Sequence, residues 1–247
     1  MTPTKTVKPT PEVLSPMFDP AAARYDRLNS LMSLGRDESW RRALVEELGP
    51  GERVLDLCCG SARSSVLAAR RTGRSVIGVD VSPAMLSLGA AHAGDAFAPV
   101  RADAFRLPFS DHAFDAVTVC WGLRNLRPEP EALAEMRRVL RPGGKLLVLD
   151  SPSPPAGPLG IAHRLYLRWV VPTLGRLSPD PDAYRYLASS ILAFGRVEDV
   201  ARRIRDAGFE MRRARRLFLG AAAVWSASKP ASALHSATDR VEIGQSA

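Results

Sequence analysis

Short apolar runs alternate with helix-forming stretches from about residue 38 to residue 150, and this alternation constrains the fold more than any other feature of the chain. Residues 53–57 form one run, directly after the turn Gly49-Pro50-Gly51. Residues 75–79 form another and end in Asp80. Residues 114–120 and 145–149 are two more, the last preceded by Pro142-Gly143-Gly144. Apolar runs this short, without polar alternation and closed by turn residues, read as parallel strands covered on both faces. The stretches between them read as helices. Residues 62–71 are Ala/Leu-rich and stop before Gly73. Ser82-Pro83 supplies an N-cap and a first-turn proline. Residues 130–140 place Leu133, Met136, Val139 and Leu140 on one face. A β-α-β-α order of this kind predicts an α/β fold: a doubly wound, mostly parallel, seven-stranded sheet with helices on both faces.

The pattern changes after Asp150. Residues 151–158 hold four prolines and exclude a regular element. Helices are predicted over 159–174, over 182–194 with Asp182 as cap, and over 197–207 up to Gly208. Two strands, 209–215 and 221–226, are predicted to close the sheet. The predicted organisation is a disordered N-terminus (1–16), one domain (17–227) with an N-terminal helical segment and a helical lid inserted at about 151–195, and a disordered tail (228–247).

Composition excludes several function classes. The 247 residues are 46% hydrophobic and 24% charged, enough apolar material for a core without staples. No run of about 20 apolar residues could span a bilayer, and residues 1–16 lack the apolar centre of a signal peptide, so a cytoplasmic location is expected. Cys58, Cys59 and Cys120 make neither a disulfide framework nor a zinc pattern, and no metal is expected. The net charge of +8 is carried largely by arginine, as in Arg212-Arg213-Ala214-Arg215-Arg216. Charge alone fits solvated helix faces, anionic headgroups or nucleic acid.

The sharpest local feature is Val54-Leu55-Asp56-Leu57-Cys58-Cys59-Gly60-Ser61-Ala62, a strand that ends in a small-residue turn and opens a helix. Small residues admit close approach of a ligand, and the helix start offers unpaired N–H groups. In open α/β sheets, ligands bind at this edge. Asp80 follows Gly60 by twenty residues, a spacing suited to ribose hydroxyls. Asp103-Ala104 follows the expected third strand and adds an acid for an adenine amino group. A dinucleotide fingerprint needs three glycines, but Ala62 and Ser65 stand at the other two places. The relaxed turn favours a nucleoside cofactor without phosphate, S-adenosyl-L-methionine.

Longer motifs carry a family resemblance over residues 17–225. Arg24-Tyr25-Asp26-Arg27-Leu28-Asn29, Leu31-Met32-Ser33-Leu34-Gly35 and Trp40-Arg41 form one block. Gly122-Leu123-Arg124-Asn125 and Asp182-Ala183-Tyr184-Arg185-Tyr186-Leu187-Ala188-Ser189-Ser190-Ile191 are the most diagnostic, and Leu107-Pro108-Phe109 is shared more widely. The chain resembles the ubiquinone/menaquinone C-methyltransferases, which methylate a prenylated quinol ring. The resemblance implies that Ser61, Asp80, Asp103, Ala104 and Cys120 contact the cofactor, with Asp56, Cys59, Gly60, Val81 and Met85 completing its surface. It implies that Arg124, Asn125 and Tyr25 face the acceptor ring as the catalytic set, under a roof made by residues 159–194.

The chain departs from that family at several places. Position 63 is often acidic and here is Arg63. Cys120 replaces a common serine, and Trp121 replaces a Phe. On this reading Arg124 stabilises a phenolate by charge, while Asn125 and Tyr25 orient the ring. A helix-start arginine paired with Glu129 or Glu131 is the alternative for Arg124. His163 is the one appealing base; His92, His112 and His235 are read as bystanders. The partners expected are the prenylated quinol and a peripheral membrane contact, with no nucleic acid and a homodimer left open. The rival readings are another small aromatic acceptor, an RNA methyltransferase and a non-catalytic cofactor-binding module.

Overall fold

The structure, a computed structural model, describes residues 30, 33, 35–176 and 181–231. Tyr25, the motif around it, and both expected disordered ends lie in whole or in part outside the described residues. The elements run α1 (Asp37–Val45), β1 (Val54–Leu57), α2 (Arg63–Thr72), β2 (Val76–Asp80), α3 (Pro83–Ala93), β3 (Phe97–Arg101), β4 (Phe114–Cys120), α4 (Glu129–Val139) and β5 (Leu140–Asp150). They continue with α5 (Pro158–Leu165), a π-helical turn (Tyr166–Val170), α6 (Val171–Gly175), α7 (Pro181–Phe194), α8 (Val197–Asp206), β6 (Glu210–Leu217) and β7 (Ala222–Ser228).

The seven strands form one sheet in the order β3-β2-β1-β4-β5-β7-β6. β1 to β5 are mutually parallel, and β7 runs antiparallel to both neighbours. The order reverses at β1, because β2 and β3 lie to one side and β4 to the other. That reversal is the switch point where an open α/β sheet leaves a crevice.

Successive strand residues point to opposite faces, and the two cores follow that rule. Leu146 and Val148 of β5 join Met136 of α4, Ile204 of α8 and Trp225 of β7 on one face. Leu147 and Leu149 join Trp40 and Leu44 of α1 and Ala68 of α2 on the other. Each buried aliphatic side chain contributes about 1.5–3 kcal/mol. Trp225 also satisfies its indole N–H on the Val197 carbonyl at 3.0 Å.

Some boundaries differ from the sequence expectation for local reasons. β5 begins at Leu140, not at 145: Leu140 pairs with Phe114, Pro142-Gly143-Gly144 makes an excursion, and pairing resumes at Lys145 opposite Ala116. The helix expected over 159–174 is divided by its π-helical turn. α7 starts at Pro181, so Asp182 lies in its first turn, where it accepts from Arg185 Nη1 at 2.6 Å. β7 extends through Ser228, two residues past the expected end, and Lys229 donates from Nζ to the carbonyls of Arg137 and Leu140. The basic run 212–216 lies on β6, the edge strand, where charged side chains oppose strand addition.

Candidate active site

The turn after β1 is held in a left-handed path, with Cys58, Gly60 and Ala62 at φ 57°, 52° and 60°. Strain of this kind at non-glycine residues persists where surrounding contacts over-determine the backbone. Here the support comes from beneath. Asp56 is fully buried and accepts from Ser65 Oγ of α2 at 2.6 Å and Thr118 Oγ1 of β4 at 2.7 Å. Burial pushes its carboxyl pKa up, and those two hydroxyls oppose the rise. Asp56 therefore underpins the turn and is not on the cofactor surface where the sequence reading placed it.

Above the turn lies a cleft of about 1050 Å³. Asp80 stands at its β2 side, fixed by the Gly60 N–H on Oδ2 (2.9 Å) and the Ser82 N–H on Oδ1 (3.0 Å). Ser82 Oγ caps α3 at the Met85 N–H, 3.1 Å, which brings Val81 and Met85 to the same wall. Asp103 follows β3 and accepts the Phe105 N–H at 3.0 Å. Cys59, Gly60, Ser61, Asp80, Val81, Met85, Asp103, Ala104 and Cys120 all line this one cleft. Two carboxylates at adjacent strand ends suit the hydroxyls and amino group of a nucleoside. No triple-glycine cradle for a pyrophosphate exists here, so the donor set fits S-adenosylmethionine.

Sequence reading missed Arg41, Arg127, Phe105 and Leu126 in this lining. Arg41 lies on α1, far back in the chain, and reaches the cleft through tertiary packing alone. Its Nη1 donates to Ser64 Oγ at 3.0 Å and meets Cys120 Sγ at 3.2 Å. Burial raises the Cys120 thiol pKa to about 11, with Arg41 acting in the opposite direction. Cys58 and Cys59 are pushed well up by burial as well.

A second cavity of about 680 Å³ lies beside the first. Trp121, at φ 63°, lines both, and its ring packs 5.9 Å from that of Trp40. Leu167, Val171, Leu187 and Ile191 supply an apolar wall from the lid helices. Asp37, Arg124, Ser151 and His163 supply polar groups.

Arg124 lines this second cavity, and its charge is already paired. Nη1 lies 2.6 Å from Asp150 Oδ1 and 2.9 Å from the Trp121 carbonyl. The alternative partner Glu129 is bound to Arg127 and Arg203, each at 2.8 Å. Asn125 lines the cofactor cleft, and its Oδ1 accepts from Tyr186 Oη of α7 at 3.2 Å. The one-residue step from Arg124 to Asn125 on a short 3₁₀ turn sends the two side chains to different cavities. His163 is half-buried, and burial, followed by the neighbouring Arg164, lowers its pKa.

This fold and cleft define a nucleoside-binding α/β enzyme of the S-adenosylmethionine-dependent methyltransferase class. Solved structures share the fold. The [4+2]-cyclase SpnF aligns with a TM-score of 0.68 at 20% identity, over 92% of this chain and 98% of its own. A geranyl diphosphate methyltransferase in complex with S-adenosylmethionine aligns at 0.58 and 17%, over 78% and 85%. Sequence comparison goes further. The model of the ubiE/COQ5 methyltransferase family matches residues 5–229. Demethylmenaquinone methyltransferase of Mycobacterium sp. (strain KMS) is 42% identical over 228 residues, covering 91% of this chain and 97% of the relative. That of Mycobacterium tuberculosis (strain ATCC 25177 / H37Ra) is 42% identical over 223 residues, 89% and 94%. The chain belongs to the ubiE/COQ5 methyltransferase family, and S-adenosylmethionine is its cofactor.

Proposed function

We propose that this chain methylates a ring carbon of a prenylated quinol, converting demethylmenaquinol to menaquinol. The observation that carries this reading is the second cavity, apolar on its lid side and polar at Arg124 and His163, sharing Trp121 with the cofactor cleft. S-adenosylmethionine supplies a methyl group on a sulfonium. The protein then has to hold the acceptor carbon in line with it, and positioning of that kind is worth roughly 7–11 kcal/mol.

The ring carbon becomes nucleophilic when a ring hydroxyl loses its proton. His163, neutral near pH 7 because its pKa is lowered, accepts that proton. Arg124 polarises the developing phenolate, its charge softened by Asp150. Asn125 stands on the cofactor side and, through Tyr186, ties α7 to the cleft. Tyr25 keeps the ring-orienting role implied by its motif. The net change is one ring C–H exchanged for C–CH₃ and one proton released to solvent.

The prenyl tail of such an acceptor resides in a bilayer. No helix among the described residues is long and apolar enough to cross a membrane. On the lid, however, Leu159, Ile161, Leu165, Trp169 and Val170 are exposed large apolar residues, with exposed Arg168 beside them. A patch of this composition suits peripheral contact at the inner face of a membrane bearing anionic headgroups.

The test is transfer of labelled methyl from S-adenosylmethionine to reduced demethylmenaquinone with a short prenyl tail. Methylated menaquinone is the expected product. Cofactor binding without transfer would replace the quinol by another small aromatic acceptor.

A further inference from the structure

The charges lining the cofactor cleft are sorted along the sheet edge. Asp103 and Asp80 stand after β3 and β2, on one side of the switch point. Arg63, the first residue of α2, and Arg41 of α1 stand toward β4 on the other side, where Arg41 meets Cys120. A third lining cation, Arg127, shares Glu129 with Arg203, each at 2.8 Å.

Arg63 is positioned by an ion pair. Its Nη1 lies 3.0 Å from Asp37 Oδ2, and Asp37 is held among buried groups with its side chain 4% exposed. Arg41 Nε approaches the same oxygen at 3.9 Å. Two guanidiniums thus share one carboxylate. The Arg63 side chain keeps 24% exposure and lines the cleft, with Nη1 anchored on Asp37.

The cofactor has a matching polarity. Its nucleoside carries hydrogen-bond donors that carboxylates accept, and its amino-acid end carries a carboxylate. A planar guanidinium is the side chain best shaped to take a carboxylate through two N–H bonds. We infer that Arg63, held in place by Asp37, binds the carboxylate at the methionine end of the cofactor and makes recognition depend on that group. The partner that orients the arginine, Asp37, comes from α1.

This inference rests on the cofactor assignment and not on the identity of the acceptor. Asp37 also lines the second cavity, so the Asp37–Arg63 pair stands in the partition between the two sites. Its purely structural role, neutralising a buried aspartate, predicts a different result from the one below.

Equilibrium titration without any acceptor separates the two. S-adenosylmethionine and its decarboxylated form, which keeps the sulfonium and the amine, are titrated into the full chain, into Arg63→Ala, and into the double variant Asp37→Asn with Arg63→Gln. The wild type is expected to prefer the carboxylate-bearing form. In both variants that preference is expected to shrink about tenfold or more, the range of a charge-assisted hydrogen bond. Binding of the decarboxylated form is expected to change less than about threefold on the same reasoning. Arg63→Lys, which keeps the charge but loses the fork, should recover part of the preference. The double variant avoids stranding Asp37 should Arg63→Ala fold poorly. An unchanged preference in the variants overturns the assignment, whether both affinities fall together or neither falls. Failure of the quinol reading leaves this result untouched, because no acceptor is present.

Discussion

Arg124 Nη1 lies 2.6 Å from Asp150 Oδ1, with the two side chains 6% and 0% exposed, and Asp150 Oδ2 also accepts the Arg124 backbone N–H at 3.2 Å. The pair ties the turn after β4 to the end of β5, the base of the second cavity. Removing one partner leaves the other buried without compensation, which costs about 3–5 kcal/mol. Arg124→Ala is therefore expected to lower stability by about that amount in urea unfolding. Arg124→Ala combined with Asp150→Ala should cost much less than the two single changes added. Additive losses would show that the pair is not coupled. Activity lost in Arg124→Ala alone thus mixes chemistry with folding, and only a comparison with the double variant isolates the catalytic part.

His163 gives a pH signature. Burial, then Arg164, lowers its folded-state pKa below the ordinary 6.5. The unfolded chain therefore takes up a proton at a higher pH than the folded chain does. The stability this contributes is complete above pH 6.5 and is lost as pH falls through the folded value. Arg124 and Asp37 are the other charged groups that line the same cavity. In His163→Gln the decline of stability between about pH 7 and pH 5 should flatten. The acidic limb of kcat/KM should disappear in the same variant. An acidic limb that persists unchanged removes His163 as the base.

Gly122 is a packing test of the cofactor turn. A Cβ at this position would sit 2.7 Å from Cys58 Cβ and 3.0 Å from its Sγ. Cys58 already has a left-handed backbone, so it has little room to yield. Gly122→Ala is expected to cost about 1–3 kcal/mol, the usual range for overpacking. Because the clash displaces the turn itself, affinity for S-adenosylhomocysteine should fall by at least a comparable factor. Calorimetric titration against wild type measures it, and an unchanged affinity would show that the turn adjusts.

The parallel half of the fold was legible because its strands are covered on both faces and their apolar runs end in turns. Asp80 and Asp103 were legible for the same reason, since strand ends in a doubly wound sheet converge on one edge. Asp56 was misplaced because one letter at a strand end cannot show whether a carboxylate looks into the cleft or into the core. Ser65 and Thr118, which consume both its oxygens, are distant in sequence. The divergence of Asn125 from Arg124 is set at still finer grain, by the turn of one residue on a 3₁₀ segment. Arg41 stood in the Trp40-Arg41 family block with no binding role read into it, and Asp37 in no motif, because their meaning arises only when α1 packs beside α2. The π-helical turn in the lid leaves no compositional mark, and the sequence read a continuous helix through it.

The three thiols should be inert in the native protein. Burial raises Cys120 from its ordinary 9.0 to about 11 and raises Cys58 and Cys59 well above it. The thiolate is the reactive form, so alkylation at pH 8 should be on the order of a hundredfold slower in native than in denatured protein. Above the unfolded pKa the denatured chain ionises first. Stability should therefore be intact below about pH 9 and decline as pH rises toward 11. Rapid native labelling of Cys120 at pH 8 would contradict its burial.

Membrane contact can be read from one tryptophan. Trp169 is 67% exposed on the lid, while Trp40 and Trp225 are buried and Trp121 is half-buried between the two cavities. Ile161, Leu165 and Trp169 recur every fourth residue, which puts them along one side of α5 and the π-helical turn. Vesicles containing anionic lipid should shift the emission of Trp169 to the blue, and Trp169→Phe should abolish the shift. Burying an aromatic of this size in the interface is worth on the order of 1.5–3 kcal/mol. Trp169→Ser is thus expected to weaken vesicle binding about tenfold or more. Raising salt should weaken binding of wild type and variant by similar factors, since screening acts on the arginines and not on the apolar stripe. If Trp169→Ser binds vesicles as wild type does, the lid is not the docking face, and the prenylated acceptor reaches the second cavity by another route.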